Sequence, residues 1–197
     1  MAPRAPCGRA CDGPPVHATP RTAALFPGQG CSLDGARELV LAHCEGLFAL
    51  ARELLDADPF EHASASTRYA QPAIFLASIA SWQALRAQAV DADAFAGHSL
   101  GELSALTAAG VWSGEQGLRL VVLRAELMAA AGSGHDGGML ALLKGDLEVA
   151  GELAERFGVT LANDNSIGQS FCLAQPQPSA TLRRSRASEA CGRSRWM

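Results

Sequence analysis

Aromatic residues make up only 6% of this 197-residue chain, with a single Tyr. Charge of one sign is equally scarce: acids and bases nearly balance, leaving a formal net charge of −4. Without a basic excess there is no electrostatic footprint for nucleic acid or for an anionic membrane surface. That balance draws in no anionic substrate from a distance either, so any anion site has to be local. The longest apolar run, around Ile74 to Ile79, is far too short to cross a bilayer. Arg4 and Arg9 stand near the N-terminus with no apolar stretch behind them, so no secretory signal is visible. The six cysteines are Cys7, Cys11, Cys31, Cys44, Cys172 and Cys191. None forms a C-x-x-C pair, and no His lies at zinc-ligand spacing from any of them. The expectations are scattered intracellular thiols, no metal and a cytoplasmic location.

What the chain does have is aliphatic bulk. Nearly half of it is hydrophobic, and Ala, Leu and Gly dominate, the composition of a helix-rich globular protein. Its length suits one domain, or one domain and part of a second. Residues 1–21, rich in Pro, Gly and Ala, read as a disordered leader. Thr22 to Phe26 reads as a short buried strand stopped by Pro27-Gly28-Gln29-Gly30. Apolar spacing predicts a helix from about Gly35 to Ala57, ended by Pro59, and a second, buried one opened by Gln71-Pro72 and apolar through Ile74, Phe75, Ile79 and Trp82. Ala94-Phe95-Ala96 is a brief strand leading into Gly97-His98-Ser99-Leu100-Gly101, and a helix runs from there to about Ala109, before Gly110. Ser113 and Gln116 fit a capping box opening a helix that reaches about Ala131. After a Gly-rich link come a strand at Met139–Leu143, a helix at Leu147–Phe157 and a strand at Val159–Ala162. The order is that of an α/β protein with a smaller subdomain beginning after Gly138.

Three features carry chemistry. Gly97-x-Ser99-x-Gly101, between a strand and a helix, is a nucleophile-elbow pattern. The glycines permit the tight turn that lifts the hydroxyl clear of the backbone, and the helix behind it aims free N–H groups at an oxyanion. Phe26-Pro27-Gly28-Gln29-Gly30 is either a plain tight turn or a second source of oxyanion donors at the end of a strand. Arg124 sits about 140° around its helix from the polar face of Arg119 and Glu126, at 100° per residue. It stands among Leu120, Val121, Leu127 and Met128, and no acid on the same helix face can serve it. An inward Arg requires an anion, a carboxylate elsewhere in the fold, or a snorkelling path to water. His17, His43, His62 and His135 read as solvated. His98 adjoins Ser99, but successive residues at a sharp turn point apart.

Phe-Pro-Gly-Gln-Gly, then Gly-His-Ser-Leu-Gly-Glu about seventy residues on, then an Arg about twenty-five residues past the Ser, occur here in one order. With Ala70-Gln71-Pro72-Ala73 and Ala162-Asn163-Asp164-Asn165-Ser166-Ile167-Gly168-Gln169, they resemble the malonyl-CoA:acyl-carrier-protein transacylases of fatty acid synthesis, relatives of polyketide synthase acyltransferase domains. The likeness runs from about Ala23 to Ser170. It implies a hydrolase-like parallel-sheet α/β core with an inserted ferredoxin-like subdomain, here incomplete: residues 22–131 as the N-terminal part of the core and 132–170 as the start of the insert. It also implies that Ser99 carries the malonyl ester and that the backbone N–H groups of Gln29 and Leu100 form the oxyanion hole. Arg124 would pair with the free malonyl carboxylate. The substrates would be malonyl-CoA and phosphopantetheinylated acyl carrier protein, with no further cofactor.

The chain departs from that pattern in three ways. Cys31-Ser32-Leu33 replaces the usual Ser-Gln. The family's catalytic His, in a Phe-His-Ser setting beyond the insert, has no counterpart, nor has a later Asn-x-x-x-Gln stretch. Residues 171–197 change character abruptly, with five Arg against one Glu. They read either as a natural basic tail or as out-of-frame translation of a GC-rich gene, and the abruptness favours the second. The resulting expectations are that the strand at Val159–Ala162 has an unpaired edge and that Ile74–Trp82 is only partly covered. The chain as written would not turn over, making it an inactive fragment; the remaining rival is a serine hydrolase.

Overall fold

A computed structural model describes residues 21–133, 138–143, 146–166 and 169–174. The leader at 1–20, His17, His135, the end of the Gly-rich link and the tail beyond Ala174 lie outside the described residues. Strand β1 (Ala23–Phe26) pairs in parallel with β2 (Ala94–Gly97), with Phe26 opposite Gly97. Between them run α1 (Ala36–His43), α2 (Glu45–Leu55), α3 (Pro59–His62) and α4 (Thr67–Ala87), and after β2 come α5 (Leu100–Ala108) and α6 (Gly114–Gly132). Helix α4 is the hub, packing on α1, α3, α5 and α6. Phe75 and Leu76 on α4, Leu100 on α5 and Leu118 and Val121 on α6 are completely buried. Burying each of the larger ones is worth about 1.5–3 kcal/mol. The approach of α6 is close because Gly117 has no side chain: a Cβ there would lie 2.3 Å from Thr107 Oγ1. The capping box forms as the spacing requires, with Ser113 Oγ accepting from Gln116 N and Gln116 Oε1 accepting from Ser113 N.

Several boundaries differ from the sequence reading. The single helix expected over 35–57 is two, broken at Cys44, whose extended φ of −141° interrupts the α-helical run. Asp56, in the left-handed region, ends α2, and Pro59 begins α3 instead of ending its predecessor, since Asp58 caps that helix by accepting from Phe60 N. Helix α4 starts at Thr67, not Gln71, because Ser66 Oγ accepts from Arg68 N. Pro72 therefore falls in its second turn.

The remaining elements form a second unit. Strands β3 (Gly138–Leu143), β4 (Thr160–Ser166) and β5 (Gln169–Ala174) make an antiparallel sheet in the order β3-β5-β4, with α7 (Leu147–Phe157) crossing between β3 and β4. Because β5 opposes both neighbours, β3 and β4 run parallel on either side of it. This split β-α-β is the opening of a ferredoxin-like arrangement. Leu142 and Ala150 form its small core. The strand expected at Val159–Ala162 runs over Thr160–Ser166, longer than the apolar stretch suggested; it pairs with β5 on one side, and its other edge, as expected, has no strand beside it among the described residues. The expectation of a partly covered Ile74–Trp82 holds for one side only: Ile74, Phe75, Leu76 and Ile79 are buried by α1, α5 and α6, whereas Ala77 and Trp82 stay partly exposed. Further apolar surface is exposed at Leu25 (76%), so β1 is not the buried strand expected, and on α6 at Leu127 (62%).

Candidate active site

The geometry starts with two glycines. A Cβ on Gly97 would fall 2.0 Å from the Gly101 carbonyl group, and one on Gly101 would fall 2.1 Å from Phe26 O. The chain can therefore turn from β2 into α5 only with both side chains missing. His98 N donates to Phe26 O at 3.3 Å, which locks the turn against the end of β1. Between the glycines Ser99 is forced to φ 54° and ψ −110°. A non-glycine residue in that region costs on the order of 1–3 kcal/mol and persists only where packing dictates it. The result is an exposed hydroxyl standing at the N-terminus of α5, with Leu100, at the helix's first position, buried beneath it. Gly101 N and Glu102 N already donate to the carbonyls of His98 and Ser99, at 2.9 and 3.2 Å, which leaves Leu100 N as the donor at the positive end of α5 beside Ser99.

Arg124 approaches from α6. Its Nη2 donates to Ser99 Oγ at 3.1 Å, and its Nη1 donates to Gln71 Oε1. The Arg is half-buried, and desolvation lowers its pKa from the ordinary guanidinium value. A guanidinium nonetheless keeps its proton at physiological pH. Among the described residues no carboxylate, the alternative that the sequence left open, pairs with it: the acid nearest in sequence, Glu126, pairs with Arg68 at 3.4 Å. Gln29 lies in the turn after β1, and its Nε2 donates to Thr67 Oγ1 at 3.1 Å. Ser99, Arg124, Leu100 and Gln29, picked out in the sequence, thus fall around one turn. Two residues of the site were not singled out for a role: Gln71, whose signal was a polar side chain on an otherwise apolar helix, and Asn165.

Among the described residues no histidine bonds to Ser99. His98 turns away, and its Nε2 lies 3.1 Å from Asn165 Oδ1 on β4, joining the elbow to the smaller sheet. His43 and His62 are exposed, on α1 and α3, and the His62 ring lies 5.1 Å from that of Tyr69. No group of three His, Cys, Asp or Glu side chains able to hold a metal occurs among the described residues. Nor is any described helix long and apolar enough to cross a membrane. A groove of about 430 Å³ runs along β1 between α1 and α4, lined by Leu25, Phe26, Ile74 and Trp82 among others. Neither Ser99 nor Arg124 borders it, so it has no part in their chemistry.

The family model described as acyl transferase domain matches residues 38–171. The polyketide biosynthesis protein ThaF of Burkholderia thailandensis is 38% identical over 173 residues, covering 82% of this chain and 14% of its own. The malonyl CoA-acyl carrier protein transacylase of a Synechocystis strain is 37% identical over 155 residues, covering 74% of this chain and 52% of its own. Among solved structures, the malonyl-CoA:acyl carrier protein transacylase of Xanthomonas oryzae superposes with a TM-score of 0.72 at 34% identity, over 89% of this chain and 62% of that one. The chain spans about half the length, or less, of these curated relatives.

Proposed function

The chain belongs to the acyl transferase domain family, and from that premise we propose that it carries the nucleophile and the carboxylate anchor of an enzyme that moves a malonyl group from malonyl-CoA to the pantetheine thiol of an acyl carrier protein. The observation that carries this reading is the 3.1 Å bond from Arg124 Nη2 to Ser99 Oγ. A fixed cation one hydrogen bond from an acyl-accepting hydroxyl suits an acyl group with a second, free carboxylate. A hydrolase of neutral esters has no use for it.

In this reading Ser99 Oγ attacks the thioester carbonyl, and its proton passes to water, since no histidine bonds to Ser99 among the described residues. The oxyanion that forms is received by the backbone N–H groups of Gln29 and Leu100. Collapse expels the coenzyme A thiolate, which takes up a proton, and leaves a malonyl ester on Ser99. The pantetheine thiol then gives up its proton to solvent and attacks that ester, the same donors stabilise the second tetrahedral intermediate, and its collapse breaks the ester C–O bond as Ser99 Oγ takes a proton back. Throughout, Arg124 exchanges its contact with Oγ for the malonyl carboxylate. Residues 22–131 then form the N-terminal part of the acyltransferase core and 132–170 the start of the small subdomain, with 1–21 a leader and 171–197 a tail. Such a protein works in the cytoplasm, in fatty acid or polyketide synthesis.

The test is acylation itself. Purified protein is held with malonyl-CoA carrying radiolabel in the malonyl group, then denatured, and the bound label is counted. A missing base slows the step by a factor of about 10²–10⁴, so long incubations are needed. Wild-type protein should retain label and Ser99→Ala none; label persisting in Ser99→Ala sinks the assignment. Arg124→Ala should reduce malonylation at least about tenfold more than acetylation, in line with the loss of a hydrogen bond to a charged group. Equal losses with both thioesters would show that Arg124 reads no carboxylate.

A further inference from the structure

Gln71 is completely buried on α4, flanked along the chain by Pro72, Ala73 and Ile74, all buried as well. A carboxamide in such a place is costly unless its groups are bonded. It has two N–H donors and one acceptor oxygen. Both donors are used: Nε2 donates to Thr67 Oγ1 at 2.9 Å and to Met128 Sδ at 3.3 Å. The oxygen accepts from Arg124 Nη1. The orientation is thereby fixed, because a flipped amide would set N–H against N–H at the guanidinium. Thr67 Oγ1 also accepts from Gln29 Nε2, so one chain of hydrogen bonds joins the turn after β1 to Arg124 and, through it, to Ser99.

From this geometry we infer that Gln71 is the positioning residue that sets specificity for a carboxylated acyl group: it holds one edge of the Arg124 guanidinium with a neutral acceptor and leaves the full positive charge on the other edge, facing Ser99. The inference rests on the role proposed above for Arg124. The choice of an amide over an acid is its physical content. A carboxylate at position 71 would hold the guanidinium equally well, but it would cancel the charge that an incoming malonyl carboxylate needs. An apolar side chain would leave the charge intact and the guanidinium free to swing.

The experiment titrates the full chain, selectively ¹⁵N-labelled at arginine, with sodium malonate and, separately, sodium acetate. It follows the Arg124 side-chain resonances in wild-type protein, Gln71→Glu and Gln71→Met, with far-UV circular dichroism as the check on folding. Ser99 acylation by malonyl-CoA and acetyl-CoA is measured alongside. Wild-type protein should show a saturable response to malonate and little to acetate. In Gln71→Glu the malonate affinity and the malonyl-to-acetyl acylation ratio should both fall roughly tenfold or more. Gln71→Met should show a smaller fall in both. A folded Gln71→Glu that discriminates as wild type does would overturn the inference, and so would equal losses in both variants, which mark a merely structural role. If Gln71→Glu does not fold, Gln71→Met decides alone: an unchanged ratio refutes the inference. A wild-type protein blind to malonate would refute the role of Arg124 itself, and this inference with it.

Discussion

Two strand-to-helix turns in this molecule solve the same problem differently. At the start of α7, Asp146 sits in ordinary extended conformation at φ −88°, and its Oδ1 accepts from Val149 N at 2.8 Å. At the start of α5, Ser99 has φ 54° and makes no capping bond with its side chain. Elsewhere Asp58, Ser66 and Ser113 each cap a helix with their own oxygen. Ser99 is a good capping residue by type that does not cap. Its hydroxyl is held out toward Arg124, and Gly101 N and Glu102 N donate instead to the backbone carbonyls of His98 and Ser99. The lesson is that α5 gives up a local stabilisation worth about 1 kcal/mol, and accepts backbone strain besides, which leaves the Ser99 hydroxyl free to meet Arg124.

That contrast can be broken from the glycine side first. Gly97→Ala places a methyl group where there is no room, with backbone on the far side that cannot retreat cheaply. It should destabilise the protein by about 3 kcal/mol or more, at or beyond the upper end of ordinary overpacking, read as a shift of the urea midpoint. A cheap Gly97→Ala would mean that the turn is looser than its contacts imply.

The next comparison sets true caps against the false one. Asp146→Ala and Ser113→Ala should each cost about 1 kcal/mol. Ser99→Gly should do the reverse and stabilise the fold by about 1 kcal/mol, because it removes the left-handed strain without removing a cap. Thermal and urea unfolding of the three variants would show it. Loss of stability in Ser99→Gly would sink the idea that strain is stored at the nucleophile.

A smaller effect is expected where the two units meet. Asn165→Ala removes the contact with His98 on an exposed face. It should cost about 1 kcal/mol or less and should raise hydrogen exchange in β4 more than in α5. Equal changes on both sides would mean that the units unfold as one.

The last and smallest is a pH effect. Burial pushes the Cys44 thiol, at the break between α1 and α2, up from its ordinary 9.0 to about 11. The folded state thus prefers the neutral thiol. The contribution is fully present below pH 9 and is lost as pH rises through about 11. Cys44→Ala should remove that alkaline slope, whatever its constant cost from the lost sulfur. Urea midpoints measured across this window check the sign.

Much of the site was legible because its signals are local. The elbow needs two glycines at fixed offsets around a serine. The Ser113–Gln116 capping box is complete within four residues, and helix α7 occupies the Leu147–Phe157 span that its apolar spacing requires. The misplaced boundaries had local causes too, but weaker ones. Pro59 and Pro72 each suit a helix start or a helix stop, and only the caps supplied by Asp58 and Ser66 decide which.

The sequence by itself determined the strained turn at Ser99, since no other residues could pass between β1 and α5 so closely, and it placed Arg124 off the polar face of its helix. What lies across the chain was decided by the tertiary structure alone. Gln71 and Arg124 are 53 residues apart, and His98 and Asn165 are 67 apart. No spacing rule links such pairs. They meet because α4 and α6 bury their apolar faces against each other, and because β5 pairs between β3 and β4. A buried amide becomes a tether for a cation only once that packing has excluded the water that would otherwise satisfy both.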